Sequence, residues 1–427
     1  MPSGETIFAL SSGAPPAGIA IIRISGPEAA TILTQLACSM PTPRRATLRA
    51  LRDEAGELID RALILWFPGP ETATGEDLTE LHLHGGRAVV ARALDVLKLQ
   101  PGVRAAEPGE FTRRAFLNGR IDLLEAEALG DLLSAETEQQ RRAAIRMSDG
   151  ALGRQIEEWR QTSLRLAALV EAGLDFGDED DVTASTIDIA GECATLANDI
   201  AKLLSAPPVE RLRDGISVVL AGPPNAGKSS LLNQLVGRDA AIVSPIAGTT
   251  RDIVEVPVSI GGTAFLFSDT AGLRDGTELV EQIGIDRARE RIAMADLLLW
   301  LGEDAPPLHP ETLWLFPRHD LRPAEIVPEG RTPTSTTNGT GLADIRAWLL
   351  ERAATLLPTV DQVALSKRQR SELAIAQQAA FEASIITDAV LRAEALRQVR
   401  AAFDRLTGRA GFEDLLDAVF GAFCLGK

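Results

Sequence analysis

Long apolar runs are missing: no stretch of the 427 residues approaches the ~18 consecutive apolar positions of a membrane-spanning helix. No basic segment leads into an apolar run near the N-terminus, so no secretory signal is visible and the cytoplasm is the expected compartment. Cysteine is scarce. Cys38, Cys193 and Cys424 are odd in number and widely spaced, which fits neither a disulfide framework nor a zinc site. Positive charge is also short, with 43 Lys and Arg against 60 Asp and Glu and a formal net charge of −17. Proteins that coat nucleic acid are led by excess Lys and Arg, so that class is excluded while a local basic face is not. Most of that positive charge is arginine: Lys98, Lys202, Lys228, Lys367 and Lys427 are all the lysines. In a chain that otherwise uses arginine, a lysine that persists marks a position that needs it.

What is present is a globular composition, 45% hydrophobic, long enough for two or three domains. The chain is organised around residues 216–230, an apolar run that breaks at Gly222 and resumes as a leucine-bearing helical pattern. Gly222, Gly227, Lys228 and Ser229 fill G-x-x-x-x-G-K-[ST], a strand, phosphate loop and helix whose backbone N–H groups surround phosphate oxygens. Lys228 is expected to reach the β and γ phosphates, and the Ser229 hydroxyl to bind Mg²⁺.

Residues 1–119 mix short strands and helices, an α+β domain. Within it Glu80, His82 and His84 alternate along one strand face; a solvated or hydrogen-bonded face is favoured over a metal pair because no third ligand is obvious. From Arg120 the apolar period becomes helical and runs to about residue 213. Arg141, Arg142, Arg146, Arg154, Arg160 and Arg165 read as a solvated helix face, with a nucleic-acid surface as the alternative. The acidic run Asp178, Glu179, Asp180 and Asp181 reads as a solvated interhelix loop, with a cation site as the weaker alternative. Residues 214–352 form the nucleotide domain, inserted in a helical domain whose second half is 353–427, with Leu396, Val399, Phe403 and Leu406 as a packed stripe. The expected fold is thus multidomain α/β: an α+β N-terminal domain, an all-α helical domain and an inserted P-loop GTPase domain of Ras-like α/β type.

Gly248-Thr249-Thr250-Arg251-Asp252 and the strand-terminal Asp269-Thr270-Ala271-Gly272 follow the phosphate loop in the order of the two GTPase switches. Base recognition departs from the usual N-K-x-D. Pro317-Arg318-His319-Asp320 follows the next strand, and no lysine lies between Lys228 and Lys367. Asp320 keeps the contact to guanine and Arg318 offers a flat stem over the base, but Pro317 has neither side-chain amide nor N–H, which costs about 1–3 kcal/mol where a partner stays buried. Weakened binding with specificity partly kept is expected. Leu273 stands where many small GTPases place a water-orienting Gln, leaving Asp275, Glu278 and Glu281 as candidates and Arg274 as a cationic stabiliser. Asn225 offers a carbonyl oxygen for a monovalent cation.

These motifs, with Ile22-Arg23-Ile24-Ser25-Gly26, the Pro108 to Asn118 segment and the closing Phe423-Cys424-Leu425-Gly426-Lys427, closely resemble the MnmE (TrmE) family of tRNA-modifying GTPases over essentially the whole chain. The resemblance implies a cytoplasmic homodimer built by N-terminal domains that bind 5-formyltetrahydrofolate, and a heterotetramer with the FAD-dependent MnmG. It implies modification of the tRNA wobble uridine at carbon 5 with an aminomethyl or carboxymethylaminomethyl group, coupled to potassium-activated GTP hydrolysis. By motif, Arg23, Glu80, Arg120 (where the family has lysine) and Lys427 take folate. Asn225, Ser244, Ile246 and Thr249 surround K⁺, and Ser229 and Thr250 bind Mg²⁺. GTP is implied to contact Asn225, Ala226, Gly227, Lys228, Ser229, Ser230, Ser244, Pro245, Ile246, Ala247, Gly248, Thr249, Thr250, Asp269, Thr270, Ala271, Gly272, Asp320 and Ser335. Glu281 is the implied water-orienting residue; Cys424 is either catalytic or a buried structural thiol. Two rivals stay open, a regulatory GTPase switch and a dimeric scaffold with an impaired nucleotide site.

Overall fold

The computed structural model describes residues 4–175, 188–207, 209–239, 255–269, 289–323, 325–359, 362–410, 413–421, 423 and 426. The chain divides into two units, Met1–Gly130 with Gly153–Gln155 and Phe403–Lys427, and Asp131–Leu152 with Ile156–Ala402.

In the first unit, six strands form one sheet: β1 (Thr6–Leu10), β2 (Ile19–Ser25), β3 (Thr47–Arg52), β4 (Leu58–Phe67), β5 (Leu78–His84) and β6 (Val103–Ala105), in the order β3-β4-β5-β2-β1-β6. All neighbours are antiparallel except β1 and β6. Alternation sets the two faces. Ile22, Ile24, Ile64, Leu81 and Leu83 turn toward α1 (Ala29–Ala37) and α2 (Arg87–Lys98) and share a core with Ile32, Leu33, Val96 and Leu97. The register Arg23↔Glu80, Glu80↔Leu65 and Leu63↔His82 puts these residues on the opposite face. A one-residue slip would exchange the faces and bury those charges.

Two further helices complete this part, α3 (Glu110–Leu117) and α4 (Leu123–Ser134). The helical pattern expected from Arg120 therefore begins three positions later. Asp122 and Glu125 cap each other's backbone amides at 2.8 Å, while the Arg120 amide closes the previous helix onto the Ala115 carbonyl at 2.8 Å. Leu123 and Ala126 of α4 pack with Leu416, Phe420 and Phe423.

The second unit carries α5 (Glu138–Ser148), α6 (Ala151–Asp175), α7 (Ile189–Leu204) and α8 (Glu210–Arg213) before a second sheet. Its strands are β7 (Ile216–Ala221), β8 (Glu255–Ile260), β9 (Thr263–Asp269), β10 (Leu297–Trp300), β11 (Thr312–Pro317) and β12 (Thr332–Thr334), ordered β12-β11-β10-β7-β9-β8. Every pair is parallel except β8 with β9. Central β7 is apolar almost throughout because both its faces are covered, which is why its sequence reads as a continuous run rather than an alternation. α9 (Lys228–Asp239) follows β7, and α10 (Leu342–Leu356) follows β12, continuing past the 352/353 boundary expected from the sequence. The chain then runs through α11 (Lys367–Ile385) and α12 (Ala389–Thr407), and α13 (Glu413–Gly421) lies in the first unit. α11 packs along α7, and Cys193, Leu166, Ala383 and Leu396 share one core. Arg141 and Arg142 pair with Glu138, Arg160 with Glu157 and Arg165 with Glu192, so these arginines stand as members of surface ion pairs. The acidic run 178–181 lies outside the described residues.

Candidate functional site

Strand β7 ends at Ala221, whose carbonyl accepts from the Leu301 amide at 2.8 Å, so the following loop starts hard against the end of β10. Gly222 has φ 146°, and a Cβ there would come within 3.0 Å of the Leu301 carbonyl carbon; only glycine makes this exit. The loop turns through Asn225 (φ 59°) and Gly227 (φ 98°) into the N-terminus of α9. Lys228 is 5% exposed, and its Nζ donates to the carbonyls of Gly222 and Pro223, each at 2.9 Å. Ser229 and Ser230 occupy the first turn of the helix, where the helix dipole favours an anion.

The described residues of the other motifs follow strands β9 and β11, whose ends lie at the same edge of the sheet as the end of β7. Asp269 ends β9 in register with Leu220, next to the phosphate loop. Ser244, Pro245, Ile246, Ala247, Gly248, Thr249, Thr250, Thr270, Ala271, Gly272 and Glu281 lie outside the described residues. Beyond β11, Arg318 adopts φ 58° and donates from its guanidinium to the Asn225 carbonyl. Asp320 sits in the 3-10 turn His319–Leu321. Arg322 braces that turn, donating to the Pro317 carbonyl at 2.8 Å with its guanidinium 4.5 Å from the Phe316 ring centre. Ser335 is 1% exposed, and its Oγ accepts from the Thr337 and Asn338 amides at 3.2 and 3.4 Å, so the hydroxyl shapes the loop after β12.

In the first unit the Arg23 guanidinium donates to Glu80 Oε1 through Nε at 3.2 Å and Nη2 at 2.9 Å, and lies 5.8 Å from the Phe111 ring centre. His82 Nε2 is 3.3 Å from Glu80 Oε2, and His84 Nδ1 is 2.8 Å from Asp60 Oδ1. The two histidines thus have separate carboxylate partners, and among the described residues no three or more of His, Cys, Asp and Glu gather as a metal site would require. Arg120 is exposed beside the Gly75 and Asn118 turn. Cys424 and Lys427 lie outside the described residues, but Gly426 is placed: its carbonyl accepts from Ser11 Oγ at 2.8 Å, and a Cβ on it would meet the Leu10 carbonyl oxygen at 2.2 Å. Gly426 is therefore anchored at the end of β1, on the strand that pairs Ala9 with Arg23.

A second feature of this unit escaped sequence reasoning. Arg114, 4% exposed, donates to Glu76 Oε2 at 2.9 Å, the Glu5 carbonyl at 3.0 Å and Glu110 Oε1 at 3.0 Å. Arg104 grips Glu110 through two bonds of 2.7 and 2.8 Å, and Ser25 Oγ donates to Glu76 Oε2 at 2.8 Å. A cleft of about 560 Å³ opens beside this network, lined by Arg104, Glu107, Arg113, Asn118, Asp417 and Phe420 among others. The one sequence signal was the Arg113-Arg114 doublet in a helix that starts with Glu110.

Burial alone would disfavour ionised Glu80 and Glu110. At Glu80 the bonds from Arg23 and His82 outweigh it, and at Glu110 those from Arg104, the Glu107 amide and Arg114 do, so both titrate below the ordinary value of 4.5. A depressed folded value means that their stabilising contribution is present above 4.5 and is lost as pH falls through the folded values. Asp122 runs the other way: burial raises it above 3.8, so its effect favours the folded state at lower pH. Asp53 is also lowered, by the Glu57 amide and Arg92, so with three carboxylates against one the melting temperature of the first unit is expected to drop on acidification below about pH 4.5. Glu110→Gln is expected to flatten that slope; an unchanged slope would show that Glu110 is not its source.

Two family models match, GTP-binding protein TrmE N-terminus over residues 6–120 and MnmE helical domain over residues 123–424. A tRNA modification GTPase MnmE of Rhizorhabdus wittichii is 55% identical over 430 residues, covering 100% of this chain and 97% of the relative. Another, from Erythrobacter litoralis, is 52% identical over 430 residues, covering 99% of this chain and 100% of the relative. Among solved structures, the G domain of the T. maritima FeoB iron transporter aligns with 32% of this chain and 98% of its own length, at 22% identity and a TM-score of 0.23. With a phosphate loop at the edge of a mostly parallel sheet, both family models matched in order and full-length relatives at more than half identity, the chain belongs to the tRNA modification GTPase MnmE family.

Proposed function

We propose that this chain hydrolyses GTP in the service of tRNA modification, as a potassium-activated enzyme that works with an MnmG partner on carbon 5 of the wobble uridine. The observation that carries the reading is the phosphate loop: Lys228 buried and bonded to the Gly222 and Pro223 carbonyls, at the N-terminus of α9. Bound GTP would take its phosphates from the loop N–H groups, with the Lys228 ammonium against the β and γ oxygens and Asp320 on the guanine. Ser229 and Thr250 supply oxygen donors of the kind that suit Mg²⁺, which would offset phosphate charge when bound. Asn225, with Ser244, Ile246 and Thr249, is assigned to K⁺, whose charge would serve where an arginine finger otherwise acts. Glu281 is assigned to orienting the attacking water.

For the first unit the reading is a folate-binding dimer. Arg23 and Glu80 are partly exposed and offer donors and acceptors side by side, which suits a planar heterocycle with alternating hydrogen-bonding groups. Arg120 and Lys427 are assigned to the same ligand. The face that bears Arg23 and Glu80 also presents Ile19 at 61%, Leu48 at 65% and Leu63 at 39% exposure, apolar surface that fits a second copy of the chain. Among the described residues no helix is long and apolar enough to cross a membrane, and the proposed compartment is the cytoplasm.

The test is turnover of GTP and of ATP by the full chain with Mg²⁺, in potassium and in sodium. GTP-selective hydrolysis that rises at least tenfold in potassium is expected. Turnover in neither salt, with folate still bound, would replace this reading with that of a dimeric scaffold.

A further inference from the structure

The departure from N-K-x-D leaves the base-reading turn without the lysine and the asparagine of that motif, yet the turn is tied to the phosphate loop. β7 and β11 run parallel with β10 between them, so the loops after both strands emerge at one edge of the sheet. Arg318 is the first residue past β11, and its guanidinium spans that edge to donate to the carbonyl of Asn225. Both ends of this bond sit in left-handed backbone, φ 58° at Arg318 and 59° at Asn225, two of four such non-glycine residues among those described. Asparagine tolerates that conformation, but an arginine keeps it where surrounding contacts over-determine it. At Arg318 those contacts are visible: its carbonyl accepts from the Leu321 amide at 3.0 Å, Arg322 holds the Pro317 carbonyl from below, and the His319 ring stands edge-on to Phe316 with centres 6.1 Å apart. At Asn225 the Arg318 guanidinium reaches the carbonyl from the turn after β11.

We propose that Arg318 is a positioning residue that couples the base-reading turn to the phosphate loop. By holding the Asn225 carbonyl it fixes the backbone from which the Asn225 side chain projects, so it sets both nucleotide affinity and the response to potassium. The inference rests on the assignment of Asn225 to K⁺ under the proposed function. It also differs from the simpler role of a flat stem over the base. A stacking group acts on the base alone; a tie to Asn225 acts on the cation as well.

The experiment compares wild type, Arg318→Ala and Arg318→Lys as full chains, reading mant-GDP affinity with Mg²⁺ and the potassium concentration that half-saturates GTP turnover. Because the guanidinium is exposed and competes with water, the bond belongs near the low end for charged donors. In Arg318→Ala, mant-GDP affinity is expected to fall roughly fivefold to tenfold and half-saturating potassium to rise by a similar factor. Arg318→Lys keeps a donor without the planar group, and is expected to recover most of both. Weaker mant-GDP binding with unchanged half-saturation would mean stacking and would overturn the proposal, as would no change in either quantity. If wild type itself fails to turn over GTP, the functional reading fails; the tie is then judged by mant-GDP dissociation, expected to be faster in Arg318→Ala and restored in Arg318→Lys. Equal dissociation rates would overturn it there too.

Discussion

Lys228→Ala is expected to lower single-turnover GTP hydrolysis about 10²–10³-fold, the cost typical of removing one preorganised group aimed at developing charge. Lys228 is 5% exposed and its ammonium is held by two loop carbonyls at 2.9 Å, so it is already in place before nucleotide arrives. Both features raise its worth: little reorganisation is needed on binding, and the field it exerts is not screened by bulk water. Arginine is a poor substitute here. Its planar fork is bulkier than an ammonium and cannot sit on the same two carbonyls while facing a phosphate, which accounts for a lysine kept in a chain with 43 basic residues and five lysines. Lys228→Arg should therefore recover little of the loss. A decrease of less than tenfold in Lys228→Ala would show that the loop N–H groups carry the phosphates without it.

Arg114→Met is expected to destabilise the first unit by about 3–5 kcal/mol, the usual cost of removing one partner from a buried ion pair. Glu76 and Glu110 are each only 11% exposed at the side chain and both face Arg114. Arg104 still covers Glu110 in the variant, and Ser25 still donates to Glu76, so each carboxylate loses its innermost charge rather than every partner. Protection of β2 amides from hydrogen exchange reads this unit without the remainder of the chain. Adding Glu76→Gln should restore part of the loss, because it removes one of the two stranded charges. A change below about 1 kcal/mol would reclassify the network as a surface array.

What the sequence disclosed followed the range of the interactions involved. The phosphate loop was legible because strand, glycine exit, lysine and helix are consecutive, and each residue's type answers to a neighbour a few positions away. The Glu80, His82 and His84 face was legible from the two-residue period alone. Helix α4 was misjudged at its start because periodicity does not register a cap: Asp122 and Glu125 fix Leu123 as the first residue, whereas Ile121 fits the apolar pattern equally well. The Arg114 network was invisible because its partners come from the bend before β1, the loop before β5 and the same helix, and no short-range pattern marks a glutamate that will be buried. The Arg318 bond to Asn225 spans 93 positions. Sequence showed that a lysine was gone from the base-reading turn, but not that an arginine reaches back to the loop.

The anchoring of Gly426 at the end of β1 sets a timetable for biosynthesis. Ser11 waits for a partner 415 positions later, and Arg113 for Asp417, 304 positions later. At about 5–20 residues per second a ribosome needs roughly 15–60 s to make those 304 residues. Throughout that interval the apolar surfaces of Phe116, Ile121 and Leu123 lack Leu416, Phe420 and Phe423, which complete their core. The nascent chain thus carries an unfinished hydrophobic seam for most of its translation, and pauses or truncations before residue 416 should produce chains that engage chaperones and proteases rather than a partly active protein.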